Sequence, residues 1–364
     1  MRVHLVDPSA FTPPYDRALA AALARAGADV VLDTSRFDYG DVPPAPGVVV
    51  EERFYRGAGG VPGSRRRLAG KLARHVPDML RLARDTRGAD VVHFQWLAVQ
   101  HLDGRLLRAF AAPLVLTAHD VLPREPRRGQ LAAQRRLYGR VDAVVAHSAH
   151  GRERLVREAG VDPSRVHVIA HGAFTHLAGV AGELPPELED DGSPVVLLAG
   201  LLRPYKGLDV LLEAWRGVTG AQLWICGMPR MDTAPLRAAA PAGVRFVERF
   251  LRDAELAALL RRADLVVLPY REIEQSGVLF AALGLGRPLV LSDVGGFPEV
   301  AATGAAELVA PGDAGALRRA LLALLGDAPA RERLAAAARA AAATTYSWDA
   351  VARAHLELYG RLRG

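Results

Sequence analysis

Val195-Val-Leu-Leu-Ala-Gly-Leu-Leu-Arg-Pro-Tyr-Lys-Gly-Leu-Asp209 decides the architecture of this chain. Five apolar residues end at Gly200, a short loop carries Arg203 and Lys206, and Gly207 opens a helical stretch. A run that is apolar throughout, instead of alternating, suits a strand buried on both faces, and such strands belong to parallel sheets covered by helices. The same rhythm extends in both directions. Before this stretch, strands are predicted at 3–6, 48–51, 91–94, 114–117, 144–146 and 166–170. Between them lie helical stretches at 17–25, 65–84 (split at Pro77, which lacks the N–H a helix needs), 102–110, 130–138 and 151–159. After it come strands at 222–225, 244–247, 265–268, 289–291 and 307–309, each followed by a helical stretch.

Residues 173–193 break the rhythm. Glu183-Leu-Pro-Pro-Glu187 and Glu189-Asp-Asp-Gly192 combine Pro, Gly and like charges, as linkers do. Two doubly wound, Rossmann-like α/β domains, 1–175 and 176–347, follow economically. The tail from 328 is Ala/Arg-rich and helical, interrupted at Thr344-Thr-Tyr-Ser-Trp348, where Ser347 is a candidate N-cap for a last helix over 348–362.

Composition narrows the partners. The 364 residues suit two domains, and half of them are hydrophobic. The net charge of +6 favours an anionic partner such as a nucleotide diphosphate or a membrane surface, although an arginine-rich composition alone also produces it. The arginines are scattered over many helices without a nucleic-acid reader motif, so no nucleic acid is expected. The single cysteine, Cys226, sits in an apolar run and reads as a small buried hydrophobe. Met1 leads straight into a strand, and no apolar run approaches the roughly 18 residues that span a bilayer. A cytoplasmic protein, with peripheral contact at the inner membrane surface as an option, is expected.

Ligands of doubly wound sheets bind beyond the carboxyl ends of the strands, which directs attention to the residues there. Arg203 and Lys206 beside a helix start make a place for phosphate; an exposed basic loop would look the same. Pro269-Tyr-Arg-Glu-Ile-Glu-Gln-Ser-Gly-Val278 sets Glu272 and Glu274 ahead of Ser276 and Gly277, where acidic side chains and free backbone N–H groups can grip sugar hydroxyls; helix capping is the plainer alternative. Gly295-Gly296 allows close backbone approach. His93 and Gln95 end one strand and His119 the next. There is no Cys/His cluster or His-Glu-x-x-His for a protein-held metal, no Gly-x-Ser-x-Gly elbow, and no Gly-x-Gly-x-x-Gly for a nicotinamide or flavin.

In this order, Gly200 to Asp209, Glu274 to Gly277, Gly295-Gly-Phe-Pro-Glu299 and Tyr346-Ser-Trp348 resemble the retaining family-4 glycosyltransferases of GT-B fold (glycosyl transferases group 1), over nearly the whole chain. The resemblance implies an N-terminal acceptor domain and a C-terminal donor domain facing a central cleft, with helix 348–364 packing back on the first. It implies metal-independent, retaining transfer of a hexose-type sugar from a UDP- or GDP-type donor, which is a substrate and not a cofactor. Lys206 and Arg203 would bind the diphosphate and Glu274 the sugar hydroxyls. Ser276, Gly277, Val278, Gly200, Gly295 and Gly296 would line the donor site, and His119 would touch the sugar near its 6-position. The acceptor would meet Tyr15, His93, Gln95 and Arg124.

Two departures stand out. The family's arginine after the first glycine is Leu201 here, and its second glutamate, the ribose ligand, falls on Ala282, or on Ala281 in the alternative register. With no evident nucleophile, the donor phosphate itself would deprotonate the acceptor. A sugar-nucleotide epimerase of the same fold and a non-catalytic sugar-nucleotide-binding protein remain the alternatives. Arg65-Arg-Arg67, Lys71 and Arg74, interleaved with Leu68, Leu72 and Val76, could lie on an anionic membrane or simply face solvent.

Overall fold

A computed structural model describes residues 1–59, 61, 64–97, 99–123, 126 and 128–363. The chain forms two compact units, Met1–Gly172 with Trp348–Gly364, and Ala173–Ser347.

In unit 1 the strands are β1 (Arg2–Asp7), β2 (Asp29–Thr34), β3 (Val49–Glu52), β4 (Val91–Phe94), β5 (Leu114–Thr117), β6 (Ala143–Ala146) and β7 (Val166–Val168). They form one parallel sheet in the order β3-β2-β1-β4-β5-β6-β7. The helices are α1 (Pro13–Arg25), α2 (Arg65–Asp85), α3 (Gln100–Leu106), α4 (Gln130–Tyr138) and α5 (Ala149–Arg157). Central strands β4, β5 and β6 are buried at every position, as their continuous apolar runs require. Val92, Phe94, Leu116 and Val144 of the sheet share one buried hydrophobic cluster with Met79 and Leu82 of α2 and Leu137 of α4.

Unit 2 repeats the plan. Strands β8 (Val195–Ala199), β9 (Gln222–Cys226), β10 (Val244–Val247), β11 (Leu265–Leu268), β12 (Leu289–Ser292) and β13 (Ala306–Val309) form a parallel sheet in the order β10-β9-β8-β11-β12-β13. The helices are α6 (Leu208–Trp215), α7 (Ala234–Ala238), α8 (Asp253–Arg262), α9 (Gly277–Gly284), α10 (Phe297–Ala301), α11 (Ala314–Gly326) and α12 (Ala328–Ala343). Buried Trp215, Leu211, Ile225, Val267 and Leu321 fill its core. Helix α13 (Trp348–Arg363) belongs to unit 1, where it packs along α1. Trp348 fits against Gly172 so closely that a Cβ there would lie 2.4 Å from the indole.

Three expectations change. β2 was not foreseen, because only Val30-Val-Leu32 separates two aspartates; Asp33 is nevertheless buried, between His4 and Arg53, and the charge pattern hides a core strand. Helix α2 runs unbroken through Pro77. An internal proline costs about 3 kcal/mol, and buried Met79, Leu82 and Ala83, with hydrogen-bonded His75 and Asp78, offset it. Residues 173–193 are docked, not a loose linker. The Phe174 amide donates to the Phe280 carbonyl at 3.0 Å, and Leu177 and Leu188 are buried.

The turn after β1 is held by one carboxylate. Asp7 accepts from the backbone N–H groups of Ser9 (3.2 Å), Phe11 (2.6 Å) and Thr12 (3.2 Å). Asp16, on the first turn of α1, is buried beside it. Burial, then the neighbouring Asp7 charge, pushes the Asp16 carboxyl well above the usual carboxylate range, so the pair shares a proton. An acid with a raised folded pKa stabilises the fold at low pH and loses that contribution as pH rises through the folded value. Asp16→Asn retains a donor to Asp7 without a proton to lose. Its melting temperature should therefore gain on wild type as pH goes from about 4 to about 8; a gap that stays flat or narrows refutes the shared proton.

Candidate functional site

In unit 2 the sheet order reverses between β8 and β11, where the flanking connections diverge and leave a crevice. Both conspicuous sequence motifs emerge there. Lys206 ends a short 3-10 turn after β8 and is buried. Its Nζ donates to the Ala199 carbonyl at 3.0 Å and lies 5.1 Å from the centre of the buried Tyr270 ring. Arg203 stands at the start of the same turn, half-buried.

Glu274 and Ser276, from the loop after β11, are buried too. Ser276 occupies the N-cap of α9 but makes no side-chain cap, so the first amides of that helix are left for a ligand. Gly200 joins the two loops: with φ +94° it brings its Cα so near both that a Cβ would lie 2.9 Å from Val278 Cγ2 and 3.0 Å from Lys206 Nζ. Gly295 (φ +58°) closes the third side, where a Cβ would fall 1.7 Å from the Ile273 carbonyl oxygen, and the Gly296 amide donates to the Glu274 carbonyl at 3.3 Å. Lys206, Gly200, Val278, Glu274, Ser276 and the Gly295-Gly296 turn thus form one neighbourhood. Arg271, which sequence reasoning passed over, ties it together. Its guanidinium holds Asp209 in α6 through two bonds (2.9 and 2.6 Å), while its amide donates to the Tyr205 carbonyl at 2.7 Å. Its place directly after a strand-end Pro-Tyr was the available signal. Ala282 is buried inside α9.

In unit 1 the corresponding reversal lies between β1 and β4. His119, after β5, stacks on Trp96 (4.9 Å between centroids, planes 13° apart) and meets the edge of Tyr15 at 4.8 Å. Gln95, Trp96 and His119 line a cavity of about 210 Å3. Behind His119 stand His147 and His171, both packed on Tyr15. The Ile169 carbonyl accepts from His147 Nδ1 at 3.0 Å, which leaves His147 Nε2 an acceptor. The Gln95 Oε1 carbonyl accepts from His119 Nε2 at 3.3 Å, and His119 Nδ1 stands 3.4 Å from His147 Nε2. Burial holds His119 and His171 well below the usual imidazole range and His147 at about 4, so the cluster is uncharged at neutral pH. His147 and His171 were missed although each follows a strand end.

The acceptor-side expectations divide. Gln95 and His119 share a cavity. His93 does not join them, because its side chain points to α13, with Nδ1 2.6 Å from Tyr359 OH and Nε2 2.8 Å from Thr117 Oγ1. Both nitrogens are engaged in the fold. Tyr15 is buried and packs its ring against His119. Arg124 lies outside the described residues. Among the described residues, no group of three or more His, Cys, Asp or Glu is placed to hold a metal ion, and no helix is long and apolar enough to cross a membrane.

Comparison with known proteins converges on one family. Residues 193–327 match the model of glycosyl transferases group 1, and residues 16–176 match that of glycosyltransferase family 4. A phosphatidyl-myo-inositol mannosyltransferase of Mycobacterium leprae is 33% identical over 284 residues, covering 74% of this chain and 73% of the relative. A D-inositol 3-phosphate glycosyltransferase of Jonesia denitrificans is 30% identical over 340 residues, covering 81% and 78%. Among solved structures, sucrose-phosphate synthase of Thermosynechococcus elongatus superimposes with a TM-score of 0.79 at 20% identity, over 100% of this chain and 99% of the other. Anabaena HepE in complex with UDP and glucose gives 0.73 at 18% identity, over 99% and 100%. The chain belongs to the family-4 glycosyltransferases, and its two Rossmann-like units are those of the GT-B fold.

Two outcomes test this geometry. Gly295→Ala meets a carbonyl oxygen and a left-handed backbone together, and should destabilise by on the order of 1–3 kcal/mol, read as a lower denaturation midpoint; no change would mean that the turn is looser than described. For the histidines, a folded pKa below the unfolded value gives stability that is present above the unfolded pKa and lost as pH falls towards about 4. Acidification below about pH 6.5 should therefore melt wild type earlier, and His147→Gln should flatten that dependence.

Proposed function

We propose that this protein is a retaining glycosyltransferase that moves a hexose-type sugar from a nucleoside diphosphate, of UDP or GDP type, to a hydroxyl of its acceptor. The observation that carries this reading is the joining of Lys206, the uncapped start of α9 and buried Glu274 around Gly200. Two relatives are named for glycosyl transfer to inositol-containing acceptors, and HepE holds UDP and glucose.

Unit 2 binds the donor. The Lys206 ammonium, assisted by Arg203, sits at the diphosphate; the amides of Gly277 and Val278 support sugar and phosphate; the Glu274 carboxylate takes sugar hydroxyls. As the bond from the anomeric carbon to the diphosphate oxygen breaks, negative charge grows on the leaving group, and a fixed cation stabilises it more in the transition state than in the ground state. The acceptor oxygen bonds to the same carbon on the face the leaving group vacates, and its proton passes to a departing phosphate oxygen. No protein-held metal enters these steps. Neutral His119 in unit 1 can exchange hydrogen bonds with the sugar without adding charge. Ala282 offers the ribose no carboxylate, so diphosphate and sugar carry more of the donor affinity.

Lys206→Ala should lower kcat/KM by on the order of 10²–10³ and abolish the thermal stabilisation that one member of a UDP-, GDP-, TDP- and ADP-sugar panel gives wild type. Glu274→Gln should lose transfer while still binding the free nucleoside diphosphate. If no member of the panel stabilises wild type, the donor assignment fails. If the donor is converted to an epimer with no acceptor present, the epimerase reading replaces it.

A further inference from the structure

Of the 46 lysine and arginine side chains, only two, Lys71 and Lys206, are lysines. Both ammonium groups lie against a tyrosine ring, Lys206 5.1 Å from the centre of Tyr270 and Lys71 5.3 Å from the centre of Tyr55. In a chain that otherwise uses arginine, a lysine supplies a compact point charge in place of a planar fork. The donor site accounts for Lys206. Nothing so far accounts for Lys71.

Lys71 lines a cavity of about 500 Å3 in unit 1, beyond the carboxyl ends of β2 and β3. Arg36, Arg56 and Arg67 share its walls with two carboxylates, Asp38 and Glu52. Arg67 and Asp38 are paired with each other, and the Arg56 Nε donates to the Glu52 carbonyl at 2.6 Å. Among the described residues, neither Lys71 nor Arg36 has a hydrogen-bond or ion-pair partner. Burial, then the nearby Arg67, holds the Lys71 ammonium below its ordinary pKa, which is the signature of a cation short of counter-charge.

The cavity wall is built to stay in place. Tyr55 is a non-glycine residue in the left-handed region, φ +57°, a conformation that survives only when its surroundings impose it. Its amide donates to Asp78 Oδ2 at 2.9 Å. Its hydroxyl donates to His75 Nδ1 at 2.8 Å, and His75 Nε2 donates to Asp103 Oδ1 at 2.6 Å, all within the protein. The buried Asp103–His75–Tyr55 chain fixes the ring under Lys71 and satisfies every member. The cavity lies at the strand-end edge of unit 1, as does the one lined by His119.

We propose that this cavity is an anion subsite that takes a phosphate or carboxylate of the acceptor, with Lys71 at its centre and Arg36 and Arg56 at its mouth. Calling the ligand an acceptor rests on the transferase reading; the anion site itself does not. Helix α2, which places Arg67 and Lys71 in the cavity, also exposes Leu68 and Leu72. The anionic group is therefore supplied either in solution or as a lipid headgroup.

Because the chain has two lysines, amine acetylation followed by peptide mass spectrometry reports on both sites in the intact protein. With UDP saturating, glucose 6-phosphate and phosphatidylglycerol-containing phosphatidylcholine vesicles serve as soluble and membrane-borne probes. Glucose and pure phosphatidylcholine vesicles are the neutral controls. Acetylation of Lys71 should slow about tenfold when an anionic probe is present at about ten times its Kd, and not at all with the controls. Protection by the sugar phosphate identifies a soluble source, and protection by anionic vesicles alone identifies a headgroup. The thermal stabilisation given by the protecting probe should vanish in Lys71→Met. Equal protection by glucose, or protection by no probe, overturns the proposal. Failure of UDP, and of GDP used in its place, to protect Lys206 would count against the donor assignment and leave the anion site standing.

Discussion

An all-parallel sheet imposes one constraint from which the rest of this protein follows. Each strand must be left by a crossover and re-entered from the same direction, so every strand of a unit delivers its carboxyl end to one edge. Where the order reverses, between β1 and β4 and between β8 and β11, neighbouring connections leave to opposite faces and open a gap. Lys206 follows β8, and Tyr270 to Ser276 follow β11; the Asp7-anchored turn follows β1, and Gln95-Trp96 follow β4. Residues far apart in sequence meet because the topology leaves their loops nowhere else to go.

Within that edge, two electrostatic regimes separate the units. Unit 2 sets Lys206 against an aromatic face, 5.1 Å from the centre of the Tyr270 ring, with its Nζ donating to the Ala199 carbonyl. Unit 1 instead carries, after β5, β6 and β7, imidazoles held neutral by burial. A neutral ring can donate from one nitrogen and accept on the other, which suits the orientation of hydroxyl groups more than the neutralisation of charge. Close backbone approach at Gly200 and Gly295 belongs to unit 2, since a side chain there would displace Val278 and Lys206 or meet the Ile273 carbonyl.

Much of this was legible in the sequence. Continuous apolar runs named most strands within a residue or two, because strands buried on both faces cannot carry charge without announcing it. Asp29-Val-Val-Leu-Asp-Thr34 escaped for the converse reason: Asp33 carries its charge into the interior with His4 and Arg53 as company, and a pattern of hydrophobicity cannot show a partner. The loops of Lys206 and Gly295 stood out in the sequence because glycine, lysine and proline cluster at their strand ends. His93 occupies a strand-end position, but its side chain meets Tyr359 of α13, and a one-residue difference in a strand decides which face is met. His147 and His171 were invisible as a group, since only the fold brings three successive strand ends to one tyrosine.

Helix α13 carries a consequence for how the protein comes into being. Its Trp348 fills the space over Gly172 and beside Tyr15 and His171, and Tyr359 completes the bonding of His93. During synthesis, residues 173–347 are all translated before this helix appears. The second-made unit can therefore finish folding while the first-made one still waits for its last piece. Until residues 348–363 leave the ribosome, the histidine cluster and the groove along α1 stay uncovered, and the nascent chain carries its exposed apolar surface at the end that was made first.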